Sequence, residues 1–467
     1  MLNPPYMEGF CRSARWAARS RGRVQRHPDW MLIATSVLEK AGNLVKFIDG
    51  AALNLSKEEI IEEMSRFSAE LVVIHTTTPS IYNDISYARV AKEKGLATTV
   101  LIGPHVSVLP EDTFEYAKDS VDVIVKGEYD YTLRELAEGK ALEEVLGIFY
   151  RKNGKVISNP SRPPLDVNES PFPAWHHIKP EWYHDAGKKY PFLTLISGRG
   201  CFGTCTFCRD IQTMYGRKLR LRDPELVVDE IEYDLKLFPH LQEIMFETDT
   251  FVASSDHVRG ICEEMLRRDI DISWSCNARV DMDLELLPLM KRAGCRMLMV
   301  GFEFGTNEAL RAVKKGITIE QSRKFAEEAH RLGFIIHGCF MIGAPGETLE
   351  SARKTIDFAK SLPLDTIQIS GICAYPGTEI YQWAKEKGYL LPGKWTEWVD
   401  ENGEQVTILN YPQFSKEKID VMIDEGLKEF YLRPRQMMRM LIEIRSISEL
   451  WAKLHGLKSF IGYFVSK

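Results

Sequence analysis

The chain alternates short apolar strands with amphipathic helices over two separate stretches, residues 1–140 and residues 191–390. In the first stretch, LVVIH, TTVLIG and VDVIVKG are typical of buried strands, and helical patterns such as SKEEIIEEMSRF lie between them. Ser56 and Glu59 have the spacing of a capping box at the start of that helix. This alternation predicts an α/β fold with a parallel, doubly wound sheet, which binds ligands at the carboxyl ends of its strands.

The second stretch contains six strand candidates, FLTLIS, EIMFE, ISWSC, RMLMVGFE, FIIHGCFMIG and TIQIS, with amphipathic helices between them. Six strand–helix units are fewer than the eight of a closed barrel, so we expect an open, partial (β/α)6 barrel. Between the two stretches, Asn153-Gly154 marks a hairpin turn and a proline-rich linker follows it. The predicted parts are a Rossmann-like domain (1–140), a hairpin and linker (141–190), the partial barrel (191–390) and a helical C-terminal extension (391–467).

Composition narrows the classes of partner. The 467 residues exceed one ordinary core, and 44% hydrophobic with 27% charged residues is a globular composition. A net charge of −6 gives no basic field, so nucleic acid is not an expected partner. No apolar run reaches the roughly 20 residues of a membrane span. The first residues lack the pattern of a signal peptide, and we therefore expect a cytoplasmic protein.

Three of the nine cysteines, Cys201, Cys205 and Cys208, lie within eight residues, directly after the first strand of the second stretch. Thiolates packed so closely favour zinc or an iron–sulfur cluster. Structural zinc takes four ligands, usually as two separated pairs, and no fourth ligand is obvious here. A [4Fe–4S] cluster held by three cysteines leaves one iron open to chelate a small molecule, an arrangement that suits catalysis. A zinc knuckle is the alternative.

The segment CFGTCTFC resembles the signature of the radical S-adenosylmethionine (SAM) superfamily, and the aromatic Phe207 before the third cysteine fits that pattern. The resemblance implies that SAM binds the open iron through its amino and carboxylate groups. It also implies that one electron from the cluster cleaves SAM to a 5′-deoxyadenosyl radical. Cys201, Cys205 and Cys208 are the implied cluster ligands.

Further segments extend the resemblance over most of the chain. GFEFG, with Glu303, is similar to the ribose-contacting segment, and MIGAPGET, with Gly343, is similar to the motif beside adenine. The usual Gly-Gly-Glu after the second strand is replaced by FETDT, in which Glu247 is the implied contact of the SAM amino group. Arg279 is expected either to hold the SAM carboxylate or to form an ordinary structural ion pair.

In the first stretch, LIGPHVSVLPED and KGEYDYTLREL resemble the cobalamin-binding domains attached to many radical SAM enzymes, and TTTPS resembles the loop beneath the corrin ring. The implied cobalamin contacts are Thr76, Thr77, Ser80, Gly103, His105, Gly127 and Glu128. The cobalt-ligating motif Asp-x-His-x-x-Gly is absent, so His105, His75 or no protein group remain open as the lower ligand of cobalt. A sheet that no longer binds corrinoid is the alternative for this domain.

Radical SAM–cobalamin enzymes of this layout include hopanoid-modifying enzymes and the anaerobic magnesium-protoporphyrin ester cyclase. The run AGCRMLMVGFEFGTNEALRAVKKG is similar to the hopanoid-associated branch. The resemblance implies C-methylation of an apolar, lipid-like substrate with an external one-electron donor. The alternatives are radical cyclisation, carbon–carbon bond formation or oxidation without methyl transfer, and a non-catalytic corrinoid or iron–sulfur sensor. The basic C-terminal helix is expected either to contact a membrane surface or to cap the barrel.

Overall fold

A computed structural model of the chain describes most of its residues. They are residues 1–13, 17–20, 22–95, 98–185, 187–391, 393–434 and 436–438. Much of the predicted basic C-terminal helix falls on residues 439–467, outside the described residues. None of the helices that are described combines the length and the apolar character needed to span a lipid bilayer.

The first sheet has seven strands. They are β1 (Leu2–Asn3), β2 (Ile48–Asp49), β3 (Leu71–His75), β4 (Thr98–Ile102), β5 (Val123–Val125), β6 (Ile148–Lys152) and β7 (Lys155–Ser158). Their spatial order is β2-β1-β3-β4-β5-β6-β7; β1 to β5 run parallel, and β6 and β7 join antiparallel. The order reverses between β1 and β3, which is where a doubly wound sheet opens a ligand crevice.

Two local features of this domain agree with the sequence patterns. The Ser56 side chain accepts a hydrogen bond from the Glu59 N–H, and the Glu59 carboxylate accepts one from the Ser56 N–H, so the capping box forms. Asn153 and Gly154 turn the β6–β7 hairpin with positive φ angles of 53° and 74°. The hairpin extends the first sheet to Ser158. The helices are α1 (Asp29–Lys40), α2 (Gly50–Leu53), α3 (Lys57–Phe67), α4 (Ile81–Glu93), α5 (Pro104–Val108), α6 (Pro110–Ala117) and α7 (Asp130–Ala137).

The second sheet is an open, six-stranded parallel barrel, and it contains all six strands that the sequence predicts. The strands from here on are β8 (Phe192–Leu195), β9 (Gly198–Arg199), β10 (Arg220–Leu221), β11 (Glu243–Phe246), β12 (Ser273–Ala278), β13 (Cys295–Glu303), β14 (Ile335–Ile342) and β15 (Thr366–Gly371). The barrel order is β8-β11-β12-β13-β14-β15, with β8 and β15 at the two edges, and β9 and β10 form a separate antiparallel ribbon.

The barrel strands separate an apolar outer layer from a more polar interior. Along β14, Ile336, Phe340 and Ile342 are buried, whereas the alternate residues His337 and Met341 are half-buried. This period of two is the pattern of a strand whose faces differ. The helices that cover the apolar face, with the two that follow β15, are α8 (Pro224–Leu237), α9 (Ser255–Arg267), α10 (Leu287–Arg292), α11 (Asn307–Ala312), α12 (Ile319–Arg331), α13 (Leu349–Ser361), α14 (Glu379–Lys387) and α15 (Lys416–Tyr431).

The C-terminal region closes one open edge of the barrel. Helix α15 packs against β15 and α13. The Tyr431 hydroxyl donates to the Ile367 carbonyl at 2.7 Å and accepts from the Ile367 N–H at 2.9 Å, so it satisfies backbone groups of the edge strand. Within residues 393–434, α15 and a 3₁₀ turn at Trp395–Trp398 are the regular helical elements that the structure describes.

A buried ion pair joins the two domains. Both terminal nitrogens of Arg199, in β9, donate to the Asp130 carboxylate at the start of α7, at 2.8 and 2.9 Å. Trp30 of α1 stacks on Tyr215 of the barrel domain at 4.3 Å between ring centres. Loss of one member of a buried pair of this kind costs about 3–5 kcal/mol. These contacts therefore fix how the two sheets face each other.

Candidate active site

The three cysteines lie in a loop that the rest of the barrel domain holds rigidly. The Gln212 side-chain amide donates to the carbonyls of Thr206 at 3.1 Å and Cys208 at 2.9 Å, and its oxygen accepts from the Glu379 N–H at 2.9 Å. The Thr206 N–H donates to the Val313 carbonyl at 3.0 Å. The loop is therefore tied to the segments after β13 and β15. Gln212 was not singled out by the sequence, because its partners are backbone groups.

The sulfur atoms of this loop suit an iron–sulfur cluster. Cys201 and Cys205 are buried, and none of the described cysteines forms a disulfide. The Gly203 N–H donates to the Cys201 sulfur at 3.3 Å, and a Cβ at Gly203 would lie 3.3 Å from that sulfur and 3.9 Å from the Cys205 sulfur. The Thr250 hydroxyl lies 3.2 Å from Cys201. Two buried thiols beside a glycine, with polar groups close to the Cys201 sulfur and the half-buried Cys208 three residues further along the loop, fit a cluster held by three cysteines.

Arg279 has a structural partner and also lies beside the cysteines. Its Nε and Nη2 donate to the Asp281 carboxylate at 2.9 and 2.7 Å, and Nη2 also donates to the Lys315 carbonyl at 3.1 Å. Burial lowers the pKa of Arg279, but Asp281 and the thiolates of Cys205 and Cys201 raise it above its ordinary value. The structural ion pair considered from sequence is present, and the guanidinium is also close enough to the cysteines to interact with a negatively charged cluster.

Glu303 forms a buried ion pair that the sequence did not predict. Its Oε1 accepts a hydrogen bond from Lys315 Nζ at 2.7 Å. Burial works against the charge of Lys315, but Glu303 and the Cys205 thiolate raise the pKa of the lysine. A Cβ at Gly301 would lie 2.5 Å from the Glu303 oxygen and 2.9 Å from Nζ, so a side chain there would displace the two charged groups from this arrangement. The packing of Glu303 against Lys315 thus favours glycine at position 301, the first residue of GFEFG.

Gly343 stands at the end of β14 with a φ of 102°, a conformation that favours glycine. The Tyr411 hydroxyl donates to its carbonyl at 2.8 Å. Glu347 Oε2 accepts from the N–H groups of Gly343 at 2.5 Å and Ala344 at 3.0 Å. Through these two hydrogen bonds, Glu347 supports the loop predicted to lie beside adenine, a role the sequence did not show.

Phe207, the aromatic residue of the cysteine loop, is partly buried against the main core.

Glu347→Gln is expected to change how stability depends on pH. Burial raises the pKa of Glu347 to about 7, although the two N–H bonds act in the opposite direction. A raised pKa means that the folded state holds the proton more tightly, so this group's stabilising contribution is complete below the unfolded pKa and is lost as pH rises through about 7. Glutamine stays neutral and keeps an acceptor oxygen. As pH rises from the unfolded-state pKa to the folded-state pKa of Glu347, the free energy of unfolding of the glutamine variant should gain about 1.4 kcal/mol per pH unit over that of the wild type. Urea unfolding at several pH values measures it, and a pH-independent difference would contradict the assignment.

Glu247 pairs with a residue from the N-terminal domain. Its Oε2 accepts from Arg26 Nη1 at 2.5 Å, and Arg26 Nη2 donates to Asp185 at 2.9 Å. Arg26 belongs to the arginine-rich segment before α1. This segment therefore reaches the end of β11, where Glu247 is predicted to contact the SAM amino group. The Arg26–Glu247 pair places that carboxylate at the barrel mouth and gives it a protein partner.

The loop after β3 is held by an arginine from the N-terminal segment. Arg12 Nη1 donates to the Ser80 hydroxyl at 2.9 Å, and Arg12 Nη2 donates to the Asp84 carboxylate at 2.7 Å. The Thr77 and Ser80 hydroxyls lie 2.6 Å apart, and the Thr76 hydroxyl donates to the Ile102 carbonyl at 2.8 Å. The side chains of the three predicted corrinoid-contacting residues are therefore engaged in shaping the loop.

The two glycines predicted to bind cobalamin lie where another stretch of backbone comes close to them. Gly103 has a φ of 121°, and a Cβ there would lie 2.5 Å from the Thr76 carbonyl oxygen. Gly127 donates its N–H to the Ser107 hydroxyl at 3.0 Å and packs near the Met214 carbonyl of the barrel domain. Glu128, the next predicted contact, accepts from both terminal nitrogens of Arg220, so its carboxylate joins the two domains.

Of the two histidines considered as cobalt ligands, His105 is buried and His75, at the end of β3, is half-buried. His105 Nδ1 lies 3.2 Å from the Thr78 hydroxyl, and its ring packs edge-on against Trp395. Burial lowers the pKa of His105 to about 3 and holds that of His75 well below its usual value. Nε2 of His105 and Nδ1 of His75 have no hydrogen-bond partner in the described part of the chain. Neutral imidazoles with an unpaired nitrogen can accept a metal or a polar ligand atom.

The carboxyl ends of the two sheets face one cleft. From the first domain it is lined by residues that follow β3 and β4, and from the barrel by residues that follow β11 and the third cysteine. These residues are His75, Gly103 and Pro104 on one side, and Arg209, Asp210, Met214, Tyr215, Glu247 and Asp249 on the other. Arg12, Asp29 and Trp30 line the cleft between them. On the side of the first domain, the backbone comes close at Gly103, one nitrogen of His75 has no hydrogen-bond partner among the described residues, and the strand ends converge. These features fit a bound corrinoid.

A doubly wound sheet opposed to a three-cysteine barrel defines a radical SAM enzyme with a cobalamin-binding domain. Residues 22–137 match the B12 binding domain family, and residues 195–359 match the radical SAM superfamily. The chain belongs to the cobalamin-dependent radical SAM enzymes, whose cofactors are a [4Fe–4S] cluster, SAM and cobalamin. The sensor alternative is therefore excluded.

The chain is similar to the uncharacterized methyltransferase PH0819 of Pyrococcus horikoshii, with 31% identity over 411 residues, 85% of this chain and 86% of that one. It is 28% identical over 375 residues to the anaerobic magnesium-protoporphyrin IX monomethyl ester cyclase of Rubrivivax gelatinosus, 76% of this chain and 66% of that one. Among solved structures, the radical SAM methyltransferase TsrM of Kitasatospora setae, with cobalamin and a [4Fe–4S] cluster bound, shares the fold. The TM-score is 0.70 with 17% identity, covering 89% of this chain and 88% of that one.

Proposed function

We propose that the chain is a methyltransferase that places a methyl group on an unactivated carbon of a small-molecule substrate. The observation that carries the proposal is the cleft between the strand ends of the first domain and the barrel segments that follow β11 and the third cysteine. When bound, the cluster and SAM would supply a radical, and cobalamin would supply the methyl group. A substrate bound between the two domains would be open to the radical on the barrel side and to the methyl group on the side of the first domain. The relation to PH0819, named a methyltransferase, supports the same conclusion.

In this proposal the chain's own residues bind and orient. Cys201, Cys205 and Cys208 hold the cluster. Glu303, aligned by Lys315, would contact the SAM ribose, and the backbone at Gly343 would lie against adenine. Glu247 and Phe207 would complete the SAM side, and Arg279 would hold the SAM carboxylate with the nitrogen that Asp281 does not use. On the other side, the proposed corrinoid contacts are Thr76, Thr77, Ser80, Gly103, His105, Gly127 and Glu128.

Isotopic labelling tests the proposal without knowledge of the substrate. Anaerobically reconstituted protein would be reduced and incubated with SAM that carries a deuterated methyl group. Mass spectrometry would then measure label on the protein-bound corrinoid together with S-adenosylhomocysteine in equal amount. A methyltransferase gives both. Label that stays on SAM, although the same sample forms 5′-deoxyadenosine, would refute methyl transfer and keep the radical chemistry.

A second candidate is radical cyclisation or oxidation without methyl transfer. The relation to the Rubrivivax gelatinosus cyclase over 76% of this chain favours it. The mass of the product separates the two functions, because methylation adds one methylene unit, whereas cyclisation or oxidation adds none. In either case a one-electron donor from outside the chain must reduce the cluster.

An apolar, lipid-like substrate is the finer proposal. It rests on the resemblance to hopanoid-modifying enzymes, and the apolar surfaces of Trp30, Met31, Met214 and Tyr215 at the cleft support it. Peripheral contact with a membrane through the C-terminal basic segment belongs to the same proposal. Incubation with lipid extracts and with tetrapyrroles in parallel, followed by a search for label from the SAM methyl group, would separate these substrate classes.

A further inference from the structure

Outside the cleft, three metal-ligating side chains meet on the surface of the first domain. Glu39 Oε1 lies 3.1 Å from Nε2 of His176 and 2.8 Å from Nε2 of His177. The three ligand atoms all lie within 4.8 Å of one another. We infer that they form a site for a divalent transition cation, best matched by Zn²⁺, that fastens the interdomain linker to α1.

The ligand set determines the class of ion. Two imidazole nitrogens with one carboxylate oxygen suit zinc and its neighbours in the first transition row rather than magnesium or calcium. Zinc binds such atoms at about 2.0–2.2 Å, so tetrahedral ligands stand about 3.3 Å apart. The distances from Glu39 Oε1 to the two histidine nitrogens, 3.1 and 2.8 Å, are slightly shorter. The side chains therefore have to move apart by about half an ångström to admit the ion. The His176 side chain is 52% exposed, which leaves the fourth position to water.

The scaffold holds the three ligands in place without an ion. Glu39 stands in the last turn of α1, and both histidines belong to the 3₁₀ turn Trp175–His177 in the linker. The Trp175 side chain is fully buried, and the Ala174 N–H donates to the carbonyl of Leu32 in α1 at 3.1 Å. The backbone on both sides is thus anchored, so binding an ion needs little ordering of the chain. An ion here joins the first domain to the linker that leads into the barrel.

The chain contains a comparison pair that has only two of the three ligands. His240 Nε2 contacts Glu181 Oε1, and both side chains are exposed. In the parts of the chain that the structure describes, this pair is not joined by a third metal-ligating side chain within the same reach. If the Glu39 site were only a set of surface hydrogen bonds, substitutions there and substitutions in the Glu181–His240 pair should change zinc binding equally little.

Zinc binding to the reconstituted holoenzyme tests the inference. Protein would be dialysed against ZnCl₂ with a competing chromogenic chelator, and zinc, iron and cobalt would be counted by mass spectrometry. We expect one zinc per wild-type chain, and affinity at least about 100-fold weaker in His177→Ala and Glu39→Gln, because even groups that only support a ligand cost 10–100-fold. His240→Ala should bind as the wild type does. Zinc should also raise the unfolding midpoint of the wild type and not that of the two site variants.

Equal zinc binding by the wild type and Glu39→Gln at the same free zinc concentration would overturn the inference. Glu39→Gln keeps the size of the side chain and an acceptor oxygen, so it decides the question even if His177→Ala does not fold. Zinc lodged in the cysteine loop would appear as a matching loss of iron, which is why iron is counted in each sample. The result does not depend on methyl transfer, since none of these measurements uses SAM.

Discussion

Alanine at Cys205 should remove the iron–sulfur cluster and abolish the cleavage of SAM. Cys205 is buried beside Cys201, and the loop between Cys201 and Cys208 contains no further thiol to replace it. Two thiolates leave the cluster without a required ligand. We expect iron and sulfide to fall to a small fraction of wild type, and 5′-deoxyadenosine to fall by at least about 100-fold, since loss of a mere supporting contact costs 10–100-fold.

Cys339→Ala is the matched control. Cys339 is a half-buried cysteine of β14, outside the three-cysteine loop. It should keep wild-type iron content and wild-type yield of 5′-deoxyadenosine without substrate. Retention of the full cluster in Cys205→Ala would show that the three cysteines are not the ligand set. Circular dichroism of the same samples would separate cluster loss from misfolding.

Gly103→Ala should weaken the binding of cobalamin while leaving the cluster in place. The added Cβ would lie 2.5 Å from the Thr76 carbonyl oxygen, at a φ of 121° that side chains rarely adopt. The backbone must shift at the end of β4, where the predicted corrinoid site lies. A displacement that costs about 1.5–3 kcal/mol lowers affinity by roughly 10- to 100-fold. Visible absorption and cobalt content measure bound corrinoid per chain, and iron content measures the cluster.

Gly139→Ala controls for backbone strain alone. Gly139 also has a positive φ, 74°, but a Cβ there would meet no atom within 4 Å. It should cost some stability and leave corrinoid binding unchanged. If Gly103→Ala bound corrinoid as tightly as Gly139→Ala, the corrinoid site would not be at the end of β4.

Local patterns predicted a large part of the fold. The six barrel strands, the capping box at Ser56 and the Asn153-Gly154 turn all appear in the structure, because each depends on residues a few positions apart. The cysteine loop is local too, since its three thiols lie within eight residues. The expected domain boundary puts the hairpin outside the first domain, whereas its strands extend the first sheet. Strand pairing of this kind is not visible in a short window of sequence.

The partners of the predicted site residues were not visible from sequence. Arg12 reaches Asp84 across 72 positions, and Arg26 reaches Glu247 across 221. Nothing in the arginine-rich segment indicates which arginine enters the protein and which stays in solvent. For Glu303 the relevant signal was near, because Lys315 lies only 12 positions away, but a lysine beside a glycine is common at helix ends.

The sequence alone determined that this protein has two α/β units with parallel strands, the second of them following a linker and carrying a three-cysteine loop. Periodicity and short spacings encode these features, and they are independent of how the domains meet. Only the tertiary structure decided that the two sets of strand ends share one cleft, and that Arg199–Asp130 and Trp30–Tyr215 fix that arrangement. The physical reason is that a buried ion pair or ring stack forms only when packing has excluded water from both partners.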